Sequence, residues 1–280
     1  MNNEALETIL KNAITEDLGD GDHSSLSCIP AEAEDKAQLL IKQVGILAGL
    51  EIAKEVFNLI DPSLKFEQFQ FDGNNVNPGD RAFIISGKTR SILQAERLVL
   101  NIMQRMSGIA TTTHEYVKKI VGTKAKILDT RKTTPGFRYL EKQAVKIGGG
   151  ENHRMGLYDM IMLKDNHVDF AGGIKQAIKK ANEYLQQVNK NIKIEIEVRN
   201  INELNEVLET GSVHRIMLDN FSPEQTKEAV QLINNRYETE SSGGITLKNI
   251  RAYAEAGVDY ISVGALTHQI KSLDMSLKAI

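Results

Sequence analysis

Residues 192–221 read IKIEIEVRNINELNEVLETGSVHRIMLDNF, and this stretch decides the fold class. IKIEIEV has the two-residue apolar period of a strand and ends in polar residues, and HRIMLDNF has the same shape. Between them, INELNEVLETG carries apolar residues at helical spacing and closes on glycine. Working outward, AKILDTRK, YDMIMLKDNH and DYISVGALTH repeat the strand-then-polar pattern. YETESSGG occupies the same phase, although its strand is poor in apolar residues. The residues ending these strands, Glu197, Asp219, Ser242 and Gly264, fall about 22 positions apart, with helices such as TLKNIRAYAEAG between them. That alternation implies βαβ units on a parallel sheet. So many units without a reversal of order favour a closed barrel over an open doubly wound sheet.

The first part of the chain has another rhythm. Residues 4–17 form an amphipathic helical pattern stopped by GDGDHSS. Asp17, Asp20, Asp22 and His23 lack the ligand order and closing glutamate of a calcium loop, so they are read as a turn. AQLLIKQVGILAGL then reads as a strand broken by glycine and EIAKEVFNLI as a helix. KFEQFQF and NNVNPGDRAFIISGKTR read as strands, and SILQAERLVLNIMQRMSGI as a closing helix. The expected organisation is α/β throughout: an α+β domain over residues 1–110, a barrel over 111–267, and a tail, 268–280, able to return to the first domain.

Composition bounds the function. With 280 residues, 41% hydrophobic and 25% charged, the chain is an ordinary globular protein of one large or two moderate domains. A formal net charge of -3 argues against nucleic acid or an anionic membrane surface as partner. Nowhere do eighteen apolar residues run together, so no membrane span is expected. One cysteine, Cys28, excludes an intramolecular disulfide and fits a reducing, cytoplasmic compartment.

In parallel barrels the functional groups lie at the carboxyl ends of strands. That rule selects Thr130, Arg131, Lys132, Lys164, Glu197, Asp219, Ser242-Gly243-Gly244 and Val263-Gly264-Ala265. The run 129-DTRKTTPGFRYLEKQAVKIGGGENHR-154 places Arg131, Lys132 and Arg138 with no acid between Thr130 and Leu140, and ends on His153-Arg154. Glycine loops on the last two strands offer bare N–H groups to phosphate. Several cations beside them suit a ligand bearing carboxylates and phosphates. Glu197 and Asp219 are read as helix caps or ion-pair partners, as holders of Mg²⁺ or ribose hydroxyls, or as stabilisers of a developing cation. His153 stays open between general base, ligand contact and packing. Gly148-Gly149-Gly150 follows no predicted strand, so it is not a dinucleotide fingerprint. No Ser-His-Asp, Cys-His or zinc spacing emerges.

These blocks resemble the quinolinate phosphoribosyltransferase family. ERLVLNIMQRMSGIAT, LDTRKTTPGFRYLEKQAVKIGGGENHRMGLYDMIMLKDNH, IEIEV, IMLDNF, ESSGG and SVGALTH carry the resemblance, which runs from EDLGDGDHSS to SVGALTH. It implies an N-terminal α/β sandwich followed by an incomplete TIM-like barrel with fewer than eight strands. It also implies phosphoribosyl transfer from phosphoribosyl pyrophosphate to quinolinate with decarboxylation, assisted by Mg²⁺, in a homodimer or an assembly of dimers. By this resemblance Arg131, His153, Arg154 and Lys164 match the quinolinate pocket, and Arg97 matches an arginine contributed by the neighbouring chain. Lys132 matches a catalytic lysine near the pyrophosphate. Glu197 and Asp219 match catalytic carboxylates near ribose and metal, touching the metal directly or through water. Thr130 and the loops Ser242-Gly243-Gly244 and Val263-Gly264-Ala265 match substrate-binding segments. Of the two acids in IEIEV, Glu195 and Glu197, the family motif places the functional one second. The rival readings are a phosphoribosyltransferase for nicotinate or another anionic ring, a non-catalytic phosphometabolite-binding barrel, and a Schiff-base aldolase using Lys164.

Overall fold

A computed structural model describes residues 3–280. In chain order its elements are α1 (Asn3–Leu18), α2 (His23–Cys28), β1 (Glu34–Ile41), β2 (Gly45–Ile46), α3 (Leu50–Ile60), β3 (Lys65–Gln68), β4 (Asn75–Val76), β5 (Arg81–Lys88) and α4 (Thr89–Lys119). Then follow β6 (Lys126–Leu128), α5 (Arg138–Ile147), β7 (Met160–Leu163), α6 (Asp165–Ala171), α7 (Ile174–Gln187) and β8 (Lys193–Val198). The chain closes with α8 (Ile201–Thr210), β9 (Arg215–Asp219), α9 (Pro223–Ile233), β10 (Glu238–Ser242), α10 (Ile250–Glu255), β11 (Tyr260–Ser262), α11 (Ala265–His268) and β12 (Met275–Ala279). Two compact units form: one from residues up to His114 with Thr133–Gly149 and Gln269–Ile280, the other from Glu115–Lys132 with Gly150–His268. The segment Thr133–Gly149, expected within the barrel, therefore packs into the first unit. Its helix α5 buries Leu140, Ala144 and Val145 there. Buried Glu141 on α5 pairs with Arg105 of α4 at 2.6 Å.

The first unit carries an antiparallel sheet in the order β12-β1-β5-β3 and a short β2-β4 ladder. Alternation on β1 buries Ala37, Leu39 and Ile41, and β5 adds Phe83 and Ile85. The rings of Phe57, Phe66 and Phe83 pack together, with Phe66 stacked on Phe83 at 4.4 Å between centroids. The terminal segment joins this sheet, Leu277 standing opposite Leu39. The acidic turn before α2 is a cap, since Asp22 accepts the Ser25 N–H at 3.1 Å.

The second unit is built on six parallel strands in the order β6-β11-β10-β9-β8-β7. Strands β7 to β11 lie side by side in chain order, and β6 returns beside β11, the sequence of neighbours that a barrel requires. Among the described residues no ladder joins β6 to β7, so the sheet is an incomplete barrel rather than the closed one that the repeats alone favour. The physical reason lies just before β7. Glu151 adds a single bridge to Leu128. The next residues turn away, with the Met155 and Gly156 N–H groups donating to the Asp159 carboxylate at 2.7 and 2.9 Å. The Met160 carbonyl on β7 instead accepts Nη1 of Arg154 at 3.2 Å.

Alternation gives each strand of this sheet two unlike faces. On β8, Ile194, Ile196 and Val198 are fully buried on one side and Glu195 and Glu197 point to the other. Parallel pairing stacks the second set in rungs: Glu195 beside Arg215 and Glu238, then Glu197 beside Met217, Glu240 and Tyr260, then Asp219 beside Ser242. Helices start cleanly after the strands. Asn200 caps α8 through the Glu203 N–H, and Ser222 with Gln225 forms a capping box on α9, with Pro223 in its first turn.

Candidate active site

Thr130, Arg131 and Lys132 follow β6, and Lys164, Glu197, Asp219, Ser242 and Val263 stand at or just past the ends of β7 to β11. One rim of one sheet therefore carries them. Lys164 Nζ lies 3.3 Å from Glu197 Oε2. Burial lifts the Glu197 carboxyl above its usual range and the charge of Asp219 adds to that, while Lys164 pulls the other way. Asp219 also accepts Nδ2 of Asn220 at 2.7 Å.

The two glycine loops are tied into the same rim. Gly243 has φ +90°, and a Cβ there would fall 2.2 Å from Oδ1 of Asn220, so only glycine lets the two loops approach. The Asn220 N–H in turn donates to the Ser242 carbonyl at 2.9 Å. At Gly264 a Cβ would lie 3.0 Å from Cδ of Lys132, and the Thr267 hydroxyl donates to the Lys132 carbonyl at 2.8 Å. Lys132 thus lies along the last loop.

Arg154 is 8% exposed. Burial pushes its guanidinium below the ordinary arginine range, and Arg131 nearby reinforces the shift. Two guanidiniums close together, one of them buried, form a site in want of an anion. Arg97 lies exposed on α4 and Arg138 begins α5, both in the first unit.

His153 is placed differently from its neighbours in the sequence. It is 7% exposed, its Nε2 lies 3.0 Å from Glu195 and 3.4 Å from Glu240, and its Nδ1 accepts the backbone N–H of Arg154 at 2.7 Å. Arg215 completes the cluster, with Nη1 at 2.9 Å from Glu240 and its guanidinium 3.9 Å above the Tyr260 ring. Burial disfavours charge on the imidazole, and the two acids favour it with a net rise. Nδ1 is already an acceptor, however, so the ring proton sits on Nε2 facing the acids. The Glu195 carboxyl is itself raised, to about 7, by burial and by Glu240. Reading the strand ends missed Glu195, Arg215 and Glu240. The signal was the period of two, because Glu195 precedes Glu197, Glu240 precedes Ser242, and Arg215 precedes Asp219 by four, all on the face that carries the rim residues.

A parallel α/β sheet with cations, acids and glycine loops gathered at its carboxyl rim defines an enzyme that handles phosphorylated, carboxylated small molecules. Residues 22–107 match the N-terminal domain and residues 109–278 the C-terminal domain of quinolinate phosphoribosyl transferase, and the chain belongs to this family. A Nicotiana tabacum protein named quinolinate phosphoribosyltransferase [decarboxylating] 2b, mitochondrial, is 46% identical over 98% of this chain and 82% of its own length. A Bacillus subtilis protein named probable nicotinate-nucleotide pyrophosphorylase [carboxylating] is 43% identical over 99% of this chain and 94% of its own. The crystal structure of NadC from Streptococcus pyogenes superposes with a TM-score of 0.93 at 38% identity, covering 100% of this chain and 99% of that one.

Proposed function

We propose that this protein transfers the phosphoribosyl group of phosphoribosyl pyrophosphate to the ring nitrogen of quinolinate. Pyrophosphate and carbon dioxide leave, giving nicotinate mononucleotide for NAD synthesis. The observation that carries the reading is the buried Arg154 guanidinium beside Arg131, at the rim that also holds Lys164 and both glycine loops. Bringing two polyanions together in a low-dielectric site requires such counter-charge.

Arg131, Arg154 and Lys164 take the two carboxylates of quinolinate. Thr130 and the loops Ser242-Gly243-Gly244 and Val263-Gly264-Ala265 take the phosphates through hydroxyl and backbone N–H groups. Lys132, alongside Gly264, meets the departing pyrophosphate. Glu197 and Asp219 face the ribosyl carbon and stabilise the positive charge that develops there as the bond to pyrophosphate breaks. Once the ring nitrogen is quaternary, the C2 carboxylate leaves as carbon dioxide. The electron pair stays on C2, stabilised by the adjacent cationic nitrogen until a proton is taken up. No covalent bond to the protein is needed. Glu197 and Asp219 are hard oxygen donors at adjacent strand ends, a set that fits Mg²⁺ directly or through water. When bound there, Mg²⁺ supplies neutralisation of pyrophosphate charge.

The active form is a homodimer or an assembly of dimers in the cytoplasm. Arg97, exposed on α4, enters the quinolinate pocket of the neighbouring chain. No helix among the described residues is long and apolar enough to cross a membrane. The test is incubation of purified protein with quinolinate, phosphoribosyl pyrophosphate and Mg²⁺. Nicotinate mononucleotide and carbon dioxide are expected in equal amounts. Turnover of nicotinate with no release of carbon dioxide from quinolinate would instead favour a nicotinate-specific transferase.

A further inference from the structure

Beneath the rim, Glu195, Glu240 and Arg215 take no part in the chemistry just described. We propose that Glu195 and Glu240, braced by Arg215, are positioning residues that set Arg154 for the dicarboxylate substrate through the imidazole of His153. The inference rests on the assignment of Arg154 to quinolinate and extends it to residues that never touch the ligand.

The contacts form one chain. The backbone around Arg154 is clamped twice, since His153 N–H donates to buried Asp129 Oδ1 at 2.8 Å and Arg154 N–H donates to His153 Nδ1 at 2.7 Å. The second clamp holds only while the imidazole keeps its plane. Its far side, at Nε2, lies 3.0 Å from Glu195 and 3.4 Å from Glu240, both fully buried. Glu240 is itself held by Arg215, which reaches Glu238 as well at 3.2 Å. The Arg154 side chain, by contrast, bonds the Met160 carbonyl at 3.2 Å and feels the like charge of Arg131. Glu195 also lies near enough to favour its charge. A buried cation facing a like charge is held in place from behind, and the acids behind it act through the ring.

His153, Glu195 and Glu240 also bring three ligand atoms within 4.8 Å of one another, a spacing open to a metal ion. Arg215 fills that role instead. Its Nη1 lies 2.9 Å from Glu240 Oε2, the same oxygen that faces His153.

The experiment compares Glu195→Gln, Glu240→Gln, His153→Asn and His153→Gln, with Arg154→Ala as reference, by steady-state kinetics in both substrates and thermal melts. Asparagine places its amide oxygen near the position of Nδ1 and can still accept the Arg154 N–H; glutamine reaches toward the acids instead. The expected result is a rise of about tenfold or more in the KM for quinolinate in Glu195→Gln and Glu240→Gln. The KM for phosphoribosyl pyrophosphate should stay within about threefold, and His153→Asn should retain more quinolinate affinity than His153→Gln. Equal loss for both substrates, in proportion to lowered melting temperature, overturns the proposal, as does a bound metal ion that Asp219→Asn retains and Glu195→Gln and Glu240→Gln lose. If Arg154→Ala raises the quinolinate KM and the glutamine variants do not, only this inference fails. If Arg154→Ala leaves it unchanged, the assignment of Arg154 fails first. Should the glutamine variants not fold, the order of the two His153 variants decides alone.

Discussion

Lys164 Nζ stands 3.3 Å from Glu197 Oε2 across the ends of two neighbouring parallel strands, the lysine half-exposed and the glutamate nearly buried. The pair sets a cation and a carboxylate side by side at the rim. Glu197→Gln keeps the shape and removes the charge. It should lower kcat and kcat/KM together by about 10²-fold, the mark of an interaction made in the transition state. An unchanged kcat in steady-state assays would remove Glu197 from the chemistry.

Arg154 is predicted to bind quinolinate and not the phosphoribosyl donor. In Arg154→Ala, calorimetric titration should show quinolinate binding weakened by about 10²-fold or more, with phosphoribosyl pyrophosphate affinity little altered. Equal weakening of both would assign Arg154 a structural role.

Asp219→Asn should lower kcat/KM by about 10²-fold. If Asp219 also holds Mg²⁺, the concentration of Mg²⁺ giving half-maximal rate should rise, and removing Mg²⁺ from the wild type with a chelator should abolish turnover. A wild-type rate that is indifferent to the chelator refutes the metal assignment.

Arg215 is 6% exposed and compensates fully buried Glu240. Arg215→Met removes the guanidinium and leaves that acid without its closest cation. It should lower the unfolding free energy by about 3–5 kcal/mol in urea titrations. A change within about 0.5 kcal/mol would mean that the cluster already holds Glu240 neutral.

Asp259 supplies a pH test at the other end of the sheet. Burial alone would raise its carboxyl. Lys124, at 2.7 Å, and the Thr239 N–H and hydroxyl outweigh burial and hold it below 3.8. A carboxyl depressed by folding adds stability above its unfolded value, and that stability fades as pH falls through the folded value. The stability gap between wild type and Asp259→Asn should therefore be constant above about pH 5 and shrink below about pH 4. A gap that widens on acidification contradicts the assigned sign.

Much of the second unit was legible because parallel strands carry strong local signals. IKIEIEV and HRIMLDNF needed only their periodicity and the helix between them to declare a strand–helix–strand repeat, and the barrel rule then pointed to the residues after each strand. YETESSGG was legible only by its phase. The strand β10 is polar, with Glu240 and Ser241 buried among partners on other strands, so hydrophobicity could not announce it. The placement of Thr133–Gly149 with the first unit was not legible either. It rests on contacts such as that of Glu141 with Arg105, far apart in sequence.

The sequence alone determined the βαβ rhythm, the rim residues and the family, because each is written in spacing and short motifs. Tertiary structure alone decided that His153 turns inward to Glu195 and Glu240, that Arg215 supports them, and that β6 and β7 form no ladder with each other. A ring can choose between two sets of partners, and an edge between pairing and turning away. Those choices depend on distances between segments that no local pattern records.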